Sequence, residues 1–312
     1  MSHCTGAAPL YLEHSNAMVK FNEDASVDLF VHPAPVGQHI WGALSQICAE
    51  ELGLAAEDVH IVTGDTDVTL FEYGSDASRS TYAVGGATLR AARQAKEQLL
   101  AHAAEMLQAP VADLALRDRR VVSQTRPGPG LTMAEVCYDA IYSFNGKAHN
   151  FFGKQSFEPV WNSPVFGVCF AEVEVDVETG RVKVPRFITV IDCGKAVNPM
   201  SVEGQLEGGL QQGLGLTLYE DFVVNPATGA VESLNFDSYK VPTTLDMPRS
   251  EVYIVDRPDP KGPFGAKGVG EPGSVAIAPA ITNAIYHAVG VRLRELPIRP
   301  EQILAALREK HD

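Results

Sequence analysis

Basic residues are the scarcer sign of charge in this chain: 25 Lys and Arg stand against 39 Asp and Glu, a formal net of −14. Phosphate backbones call for a basic face, so a nucleic-acid binder is excluded as the main reading and the acidic excess reads as solubilising surface. Cysteine is also sparse. The five, Cys4, Cys48, Cys137, Cys169 and Cys193, are odd in number, far apart and without Cys-x-x-Cys spacing. That excludes a disulfide framework or structural zinc site and leaves buried, reduced thiols in a cytoplasmic protein. No apolar run approaches the ~18 residues of a membrane helix. The start Met1-Ser2-His3-Cys4 has no basic segment leading into an apolar one, so no signal peptide is expected. His-Glu-x-x-His, Gly-x-Ser-x-Gly, Walker A and EF-hand patterns are all missing. His14, His32, His39, His60 and His149 show no ligand spacing, so no side chain is expected to hold a metal.

What is present is globular: 312 residues, 45% hydrophobic and 21% charged, enough for one large domain or two ordinary ones. Two stretches look alike. Ala17–Phe21 alternates, Asn22–Ser26 turns, Val27–Val31 alternates again, and a helix follows Gly37-Gln38 from about His39 to Leu52. Ala171–Asp176 alternates, Val177–Gly180 turns, Arg181–Val184 returns, and a helix from about Ser201 to Leu218 carries Gly204-Gln205 in its first turn. This predicts an internal duplication of a hairpin-plus-helix unit. Val59–Val62 reads as a strand, Thr81–Leu107 as a long helix and Glu251–Val255 as a strand. Final helices are expected at about Ser274–Val289 and Pro300–Lys310. Hairpins imply antiparallel pairing, so the expected class is α+β with mixed, largely antiparallel sheets, not a doubly wound parallel sheet. The halves are expected to divide as 10–160 and 161–312.

Three stretches could carry chemistry. Lys261–Gly273 is a glycine-rich loop feeding a helix start. Its Gly268-Val-Gly-Glu-Pro-Gly273 spells GxGxxG by letters, but no strand leads into it and no βαβ unit surrounds it. Glu271 is either a carboxylate favourable to the helix dipole or a general base on a rigid turn. Tyr73–Tyr82 gathers Ser75, Ser78, Arg79, Ser80 and Thr81 at a helix start, which fits either capping or a phosphate cradle. Gly37-Gln38 and Gly204-Gln205 pair a permissive backbone with an amide that donates and accepts. The tract Asn145–Phe152 reads as a surface turn.

Order and spacing together are more specific. Gly37-Gln38 resembles a Gly-Gln-Gly cofactor turn, and Gly74-Ser-Asp-Ala-Ser-Arg-Ser80 a second cofactor loop. Val190-Ile-Asp-Cys-Gly194 with Val197-Asn-Pro-Met200 resembles the lead into Gly204-Gln-Leu-Glu-Gly208. Lys267-Gly-Val-Gly-Glu-Pro272 resembles an active-site glutamate signature. In this order they are similar to the second half of the molybdenum-binding subunit of the xanthine dehydrogenase and aldehyde oxidase family, the molybdenum hydroxylases, over nearly the whole chain. The resemblance implies that Glu271 is the general base. It would deprotonate a hydroxyl on molybdenum that attacks an electron-poor carbon of an N-heterocycle or aldehyde, with hydride passing to the metal centre. It implies that Gly37, Gln38, Ala77, Ser78, Arg79, Ser80, Gln205 and Gly270 hold molybdopterin, in bacterial members often as the cytosine dinucleotide. Iron–sulfur clusters and FAD would reside on partner chains, since no cluster-binding cysteine pattern occurs here.

The sequence departs from the family in three ways. His39 replaces the second glycine of the turn. Asp76 places an acid in the phosphate loop, where it could pair with Arg79. The family's first molybdenum-binding half is not in this sequence. A second molybdenum chain or a missing N-terminal half is therefore expected as partner. The initial Met favours the smaller subunit of a split enzyme of the nicotinate dehydrogenase type over a fragment. The rival readings are a noncatalytic nucleotide binder and a scaffold for the partner chain.

Overall fold

The computed structural model describes residues 2–5, 14–143, 146–159 and 163–311. Asn145 and the expected boundary at 160 and 161 lie outside the described residues. In chain order the elements are β1 (Ser2–Thr5), β2 (Ser15–Phe21), β3 (Val27–Phe30), α1 (Ile40–Leu52), β4 (Val59–Val62) and α2 (Ser80–Leu107). Then come β5 (Leu114–Arg117), β6 (Arg120–Ser123), β7 (Leu131–Thr132), α3 (Met133–Ile141) and β8 (Phe152–Phe157). The rest is β9 (Pro164–Val175), β10 (Val182–Asp192), α4 (Pro199–Leu218), β11 (Arg249–Ile254), α5 (Pro272–Val275), α6 (Ile277–Val289) and α7 (Pro300–His311).

The chain forms two compact units. An N-terminal unit comprises Thr5–Ser163 and Pro258–Gly268, and a C-terminal unit comprises Met1–Cys4, Pro164–Arg257 and Val269–Asp312. Each is built on a four-stranded mixed sheet, β8-β2-β3-β4 in one and β1-β9-β10-β11 in the other. The plan is the same in both. A hairpin (β2–β3 or β9–β10) runs into a helix (α1 or α4). A strand then returns parallel to the second hairpin strand, β4 beside β3 and β11 beside β10. The α+β expectation with duplicated hairpin-plus-helix units therefore holds.

Local chemistry explains the turns. Asn22 and Ser26 close the first hairpin by a backbone bond of 2.8 Å, and Gly180 at φ 73° allows the second to fold back between Asp176 and Arg181. In the N-terminal unit, α2 lies on β2 and β8 through Ala83, Ala87, Ala91 and Ala95, all buried at i, i+4 spacing. Gly86 and Gly153 complete that approach. A side chain at Gly86 would meet the Phe157 ring, and one at Gly153 would overlap the Ala91 carbonyl. In the C-terminal unit, Phe187, Leu210, Leu214, Ile277, Ile281, Ile285 and Ile303 form the core between the sheet and α4, α6 and α7.

Three details correct the sequence reading. The helix expected from Ser201 begins at Pro199, where Asn198 caps the Ser201 amide at 3.0 Å, so Gly204-Gln205 falls in its second turn. The helix expected over Ser274–Val289 is two helices, interrupted at Ala276 (φ −94°, ψ 2°). The sequence reading also lacked β1, β5–β7, α3 and β8.

Candidate functional site

In the N-terminal unit, the turn before α1 and the loop before α2 are joined by hydrogen bonds. Gly37 sits at φ 92°. Beside it, the Gln38 amide is held within its own loop: Oε1 accepts from the Val36 amide at 2.7 Å, and Nε2 donates to the Ala34 carbonyl at 2.8 Å. Nε2 also reaches Ser75 Oγ at 3.3 Å. Ser75 donates to the same Ala34 carbonyl at 2.7 Å and receives Ser80 Oγ at 3.2 Å. Thus Gln38 and Ser80, 42 positions apart in sequence, meet through Ser75.

Ala77 (φ 43°) and Ser78 (φ 57°) are consecutive left-handed residues, a conformation that costs non-glycine residues roughly 1–2 kcal/mol each. They run directly into α2, whose first turn has no side-chain cap and no acidic residue. Curled backbone followed by an uncapped 28-residue helix is a concavity for anions. Arg79 does not present its charge to that concavity. Its guanidinium is fully buried in an ion pair with Glu72, donates to the Gly74 carbonyl at 2.9 Å and to Ser15 Oγ at 2.8 Å. The pairing weighed for exposed Asp76 is thus made by Glu72. Arg79 braces the loop from inside.

His39 adopts φ 59° at the α1 N-cap, the backbone a glycine would take freely. Its ring folds along α1 over Gly42, where a Cβ would overlap Nε2.

Ser78 is also fixed by Gly268. A Cβ on Gly268 would overlap the Ser78 carbonyl, so only glycine permits this approach. The same segment carries Asp259, which is buried and accepts from the Lys261 and Gly262 amides at 2.8 and 2.9 Å and from Ser163 Oγ at 2.5 Å. Tyr82 is pushed up to about 12 by burial and by the adjacent Asp259 carboxylate.

In the C-terminal unit, Glu271 is exposed at the N-cap of α5 (φ −65°, ψ −33°), with Pro272 and Gly273 buried behind it. Its carbonyl receives the Ser274 amide and Oγ, both at 2.9 Å. Gly273 lies against α4, with a Cβ position 2.9 Å from Leu206 Cδ2 and 3.6 Å from the Gln205 carbonyl. Gly273, two residues after Glu271, thus packs on the turn of α4 that carries Gln205. On α4, Gly209 and Gly213 are spaces filled by neighbours, but nothing lies within 4 Å of a Cβ at Gly204 or Gly208. Each of these glycines costs about 1 kcal/mol in a helix, and no internal contact requires them. A ligand resting on the helix backbone beside Gln205 would. The donor set, amides and hydroxyls without a cluster of acids, fits a large polar cofactor. Among the described residues no three His, Cys, Asp or Glu converge as metal ligands.

Comparison with known proteins agrees with these features. Residues 1–248 match the model of the molybdopterin cofactor-binding domain. The chain belongs to that family, within the molybdenum hydroxylases of the xanthine dehydrogenase type. It is 33% identical over 304 residues to the xanthine dehydrogenase molybdenum-binding subunit of Escherichia coli O157:H7, covering 97% of this chain and 40% of that protein. It is 30% identical to the nicotine 6-hydroxylase large subunit of Paenarthrobacter nicotinovorans, covering 98% of this chain and 38% of that one. The structure matches quinoline 2-oxidoreductase from Pseudomonas putida 86 with a TM-score of 0.92 at 30% identity, over 98% of this chain and 41% of that chain. The chain thus spans about two fifths of the length of these relatives. Among the described residues no helix is long and apolar enough to cross a membrane.

Sequence reasoning missed Ser15, Glu72 and Gly268 as supports of the loop before α2. Glu72 and Ser15 carry no local signal. Gly268 stood in a recognised motif, but its partner Ser78 is 190 positions away.

Proposed function

We propose that this chain is the Glu271-bearing half of the molybdenum site of a cytoplasmic hydroxylase acting on an N-heterocycle or aldehyde. The carrying observation is the strained Ala77–Ser78 pair feeding an uncapped helix, in a chain that matches the molybdopterin-binding family. Gln38, Ala77, Ser78 and Ser80 form the loops that hold the phosphate end of the cofactor, in its cytosine dinucleotide form, and Arg79 supports them from inside. Within the C-terminal unit, Gln205 and Gly270 are cofactor-binding residues on this reading. When bound, the cofactor supplies the two-electron oxidising centre. Glu271 would serve as the proton acceptor, on a helix start backed by the buried Pro272-Gly273 pair. A second molybdenum chain or N-terminal half completes the site, and partner chains supply iron–sulfur clusters and FAD.

Glu271→Gln keeps the shape and removes the base. In the complex purified from its host, turnover is expected to drop by about 10²–10⁴-fold. Molybdenum by elemental mass spectrometry and released cytosine nucleotide should stay at wild-type levels. Turnover within tenfold of wild type would remove Glu271 from the mechanism. No molybdenum in an intact complex would leave the scaffold reading.

A further inference from the structure

Strand β9 is apolar on both sides from Val165 to Ala171, and its outward face then ends in Glu172 and Glu174. Val165, Cys169, Ala171 and Val173 face the core, while Phe166, Val168 and Phe170 alternate with them on the opposite face. The β9–β10–β11 register puts Val190 beside Val168 and Tyr253, and Ile188 beside Phe170. This outer face stays open: Phe170 is 57% exposed, Tyr253 55%, Phe166 39%, and Val168 and Val255 38% each. An isolated exposed apolar residue needs no explanation, but a contiguous sheet face does.

The N-terminal unit supplies an internal control. Its sheet has the same strand plan, and the corresponding outer face carries Lys20 paired with Asp28 at 2.9 Å, Ser156 bonded to Asn16 at 2.5 Å, and Lys154. That face also carries Met18, Phe30 and the 52%-exposed Phe152, but charged and polar residues are interleaved among them. The strands of the C-terminal sheet instead read as strands covered on both sides. The charges at the end of its open face satisfy one another. Arg186 binds Glu251 at 2.9 and 3.1 Å and Glu172 at 3.1 Å. The surface therefore offers a partner apolar area and little free charge.

We infer that this face docks the polypeptide forming the remainder of the molybdenum subunit, an inference that rests on the functional reading above. The E. coli relative carries 60% of its length beyond the 40% matched here, which is ample chain to cover the face. A stable interface of this sort has an apolar core with aromatic anchors, and Phe166, Phe170 and Tyr253 provide them.

The test introduces a photo-cross-linking residue at Phe170 in the complex from the native host and maps the product by peptide mass spectrometry. The expected product joins position 170 to a peptide from the region that the relatives carry and this chain does not match. In parallel, the double variant Phe170→Lys with Tyr253→Lys should lower recovery of that polypeptide at least tenfold, and Lys154→Glu on the twin sheet less than twofold. A cross-link to a second copy of this chain, or none from an intact complex, overturns the proposal, as does full recovery with the double variant. Should the double variant fail to fold, the cross-link still decides. Molybdenum is measured on the same samples. A cross-link without molybdenum defeats the functional reading alone, and molybdenum without a cross-link defeats the docking surface alone.

Discussion

The two units repeat one plan and diverge at the same place in it. After the parallel strand, each chain segment loops to a helix start: β4 leads to Arg79 and Ser80, and β11 leads to Glu271 and Pro272. In the N-terminal unit that start opens a 28-residue helix, the preceding loop is strained, and a buried Glu72–Arg79 pair braces it. In the C-terminal unit the same start opens a four-residue helix with an exposed carboxylate on a proline-glycine support. A long uncapped helix is suited to holding an anion, and a short rigid turn is suited to presenting one reactive group. Duplication supplied two equivalent corners, and the residues at each determine which task it can perform.

The sheets make the second contrast, and it can be broken by experiment. Phe187 and Phe170 lie on neighbouring strands, but on opposite faces: Phe187 is fully buried, and Phe170 is open. Phe187→Ala should cost about 3–5 kcal/mol in urea unfolding of the chain alone, the range for a large core truncation. Phe170→Ala should cost under about 1 kcal/mol in the same measurement. Similar losses at both sites would mean that the outer face is already covered within this chain.

Alkaline pH weighs more on the N-terminal unit, although burial also raises the Cys169 thiol of the C-terminal unit. Burial pushes the thiols of Cys48 and Cys137 up to about 12 from 9.0, and both lie in the N-terminal unit. A thiol raised in the folded state contributes fully below its unfolded value and loses that contribution as pH climbs from 9.0 towards about 12. At pH 10 the loss is about 1 kcal/mol per thiol. Cys48→Ala with Cys137→Ala should flatten the decline in unfolding free energy between pH 9 and 11. An unchanged slope would show that these thiols do not control it.

Gly268→Ala probes the contact between Ser78 and Gly268 inside the N-terminal unit. The added methyl must displace the Ser78 carbonyl, so the expected cost is about 1–3 kcal/mol. Cofactor retention should fall with it. Gly128→Ala, with nothing near its Cβ position, should leave both unchanged.

These results bear on what could be read from sequence. The two hairpins, β4, and most of α2 were legible because alternation, turn residues and helix formers all agree locally. The Lys267–Pro272 signature was legible as a motif. Strand β8 was not, since Phe-Gly-Lys-Gln-Ser-Phe has weak strand character and exists because α2 lies on Gly153. Helix α3 did carry a readable signal, the Thr132–Glu135 capping box, with the Glu135 amide donating to Thr132 Oγ1 at 3.1 Å. Arg79 was read as a phosphate ligand because residue type reveals charge but not direction. Its commitment to Glu72 is a tertiary fact.

The smallest effect is the most diagnostic of the Gly37–His39 turn. His39 keeps a left-handed backbone that glycine would adopt without penalty, and its ring occupies the space beside Gly42. His39→Gly relieves that strain, yet it also frees the unfolded chain, so a net gain of about 0.5–1 kcal/mol is expected. Gly42→Ala alone should destabilise, because the new methyl meets the imidazole. Combined with His39→Gly the same change should stabilise by up to about 1 kcal/mol, since the obstacle is gone and alanine favours helix. Urea midpoints of the four proteins test this reversal of sign. If Gly42→Ala has the same sign in both backgrounds, the ring does not rest where the structure puts it, beside Gly42.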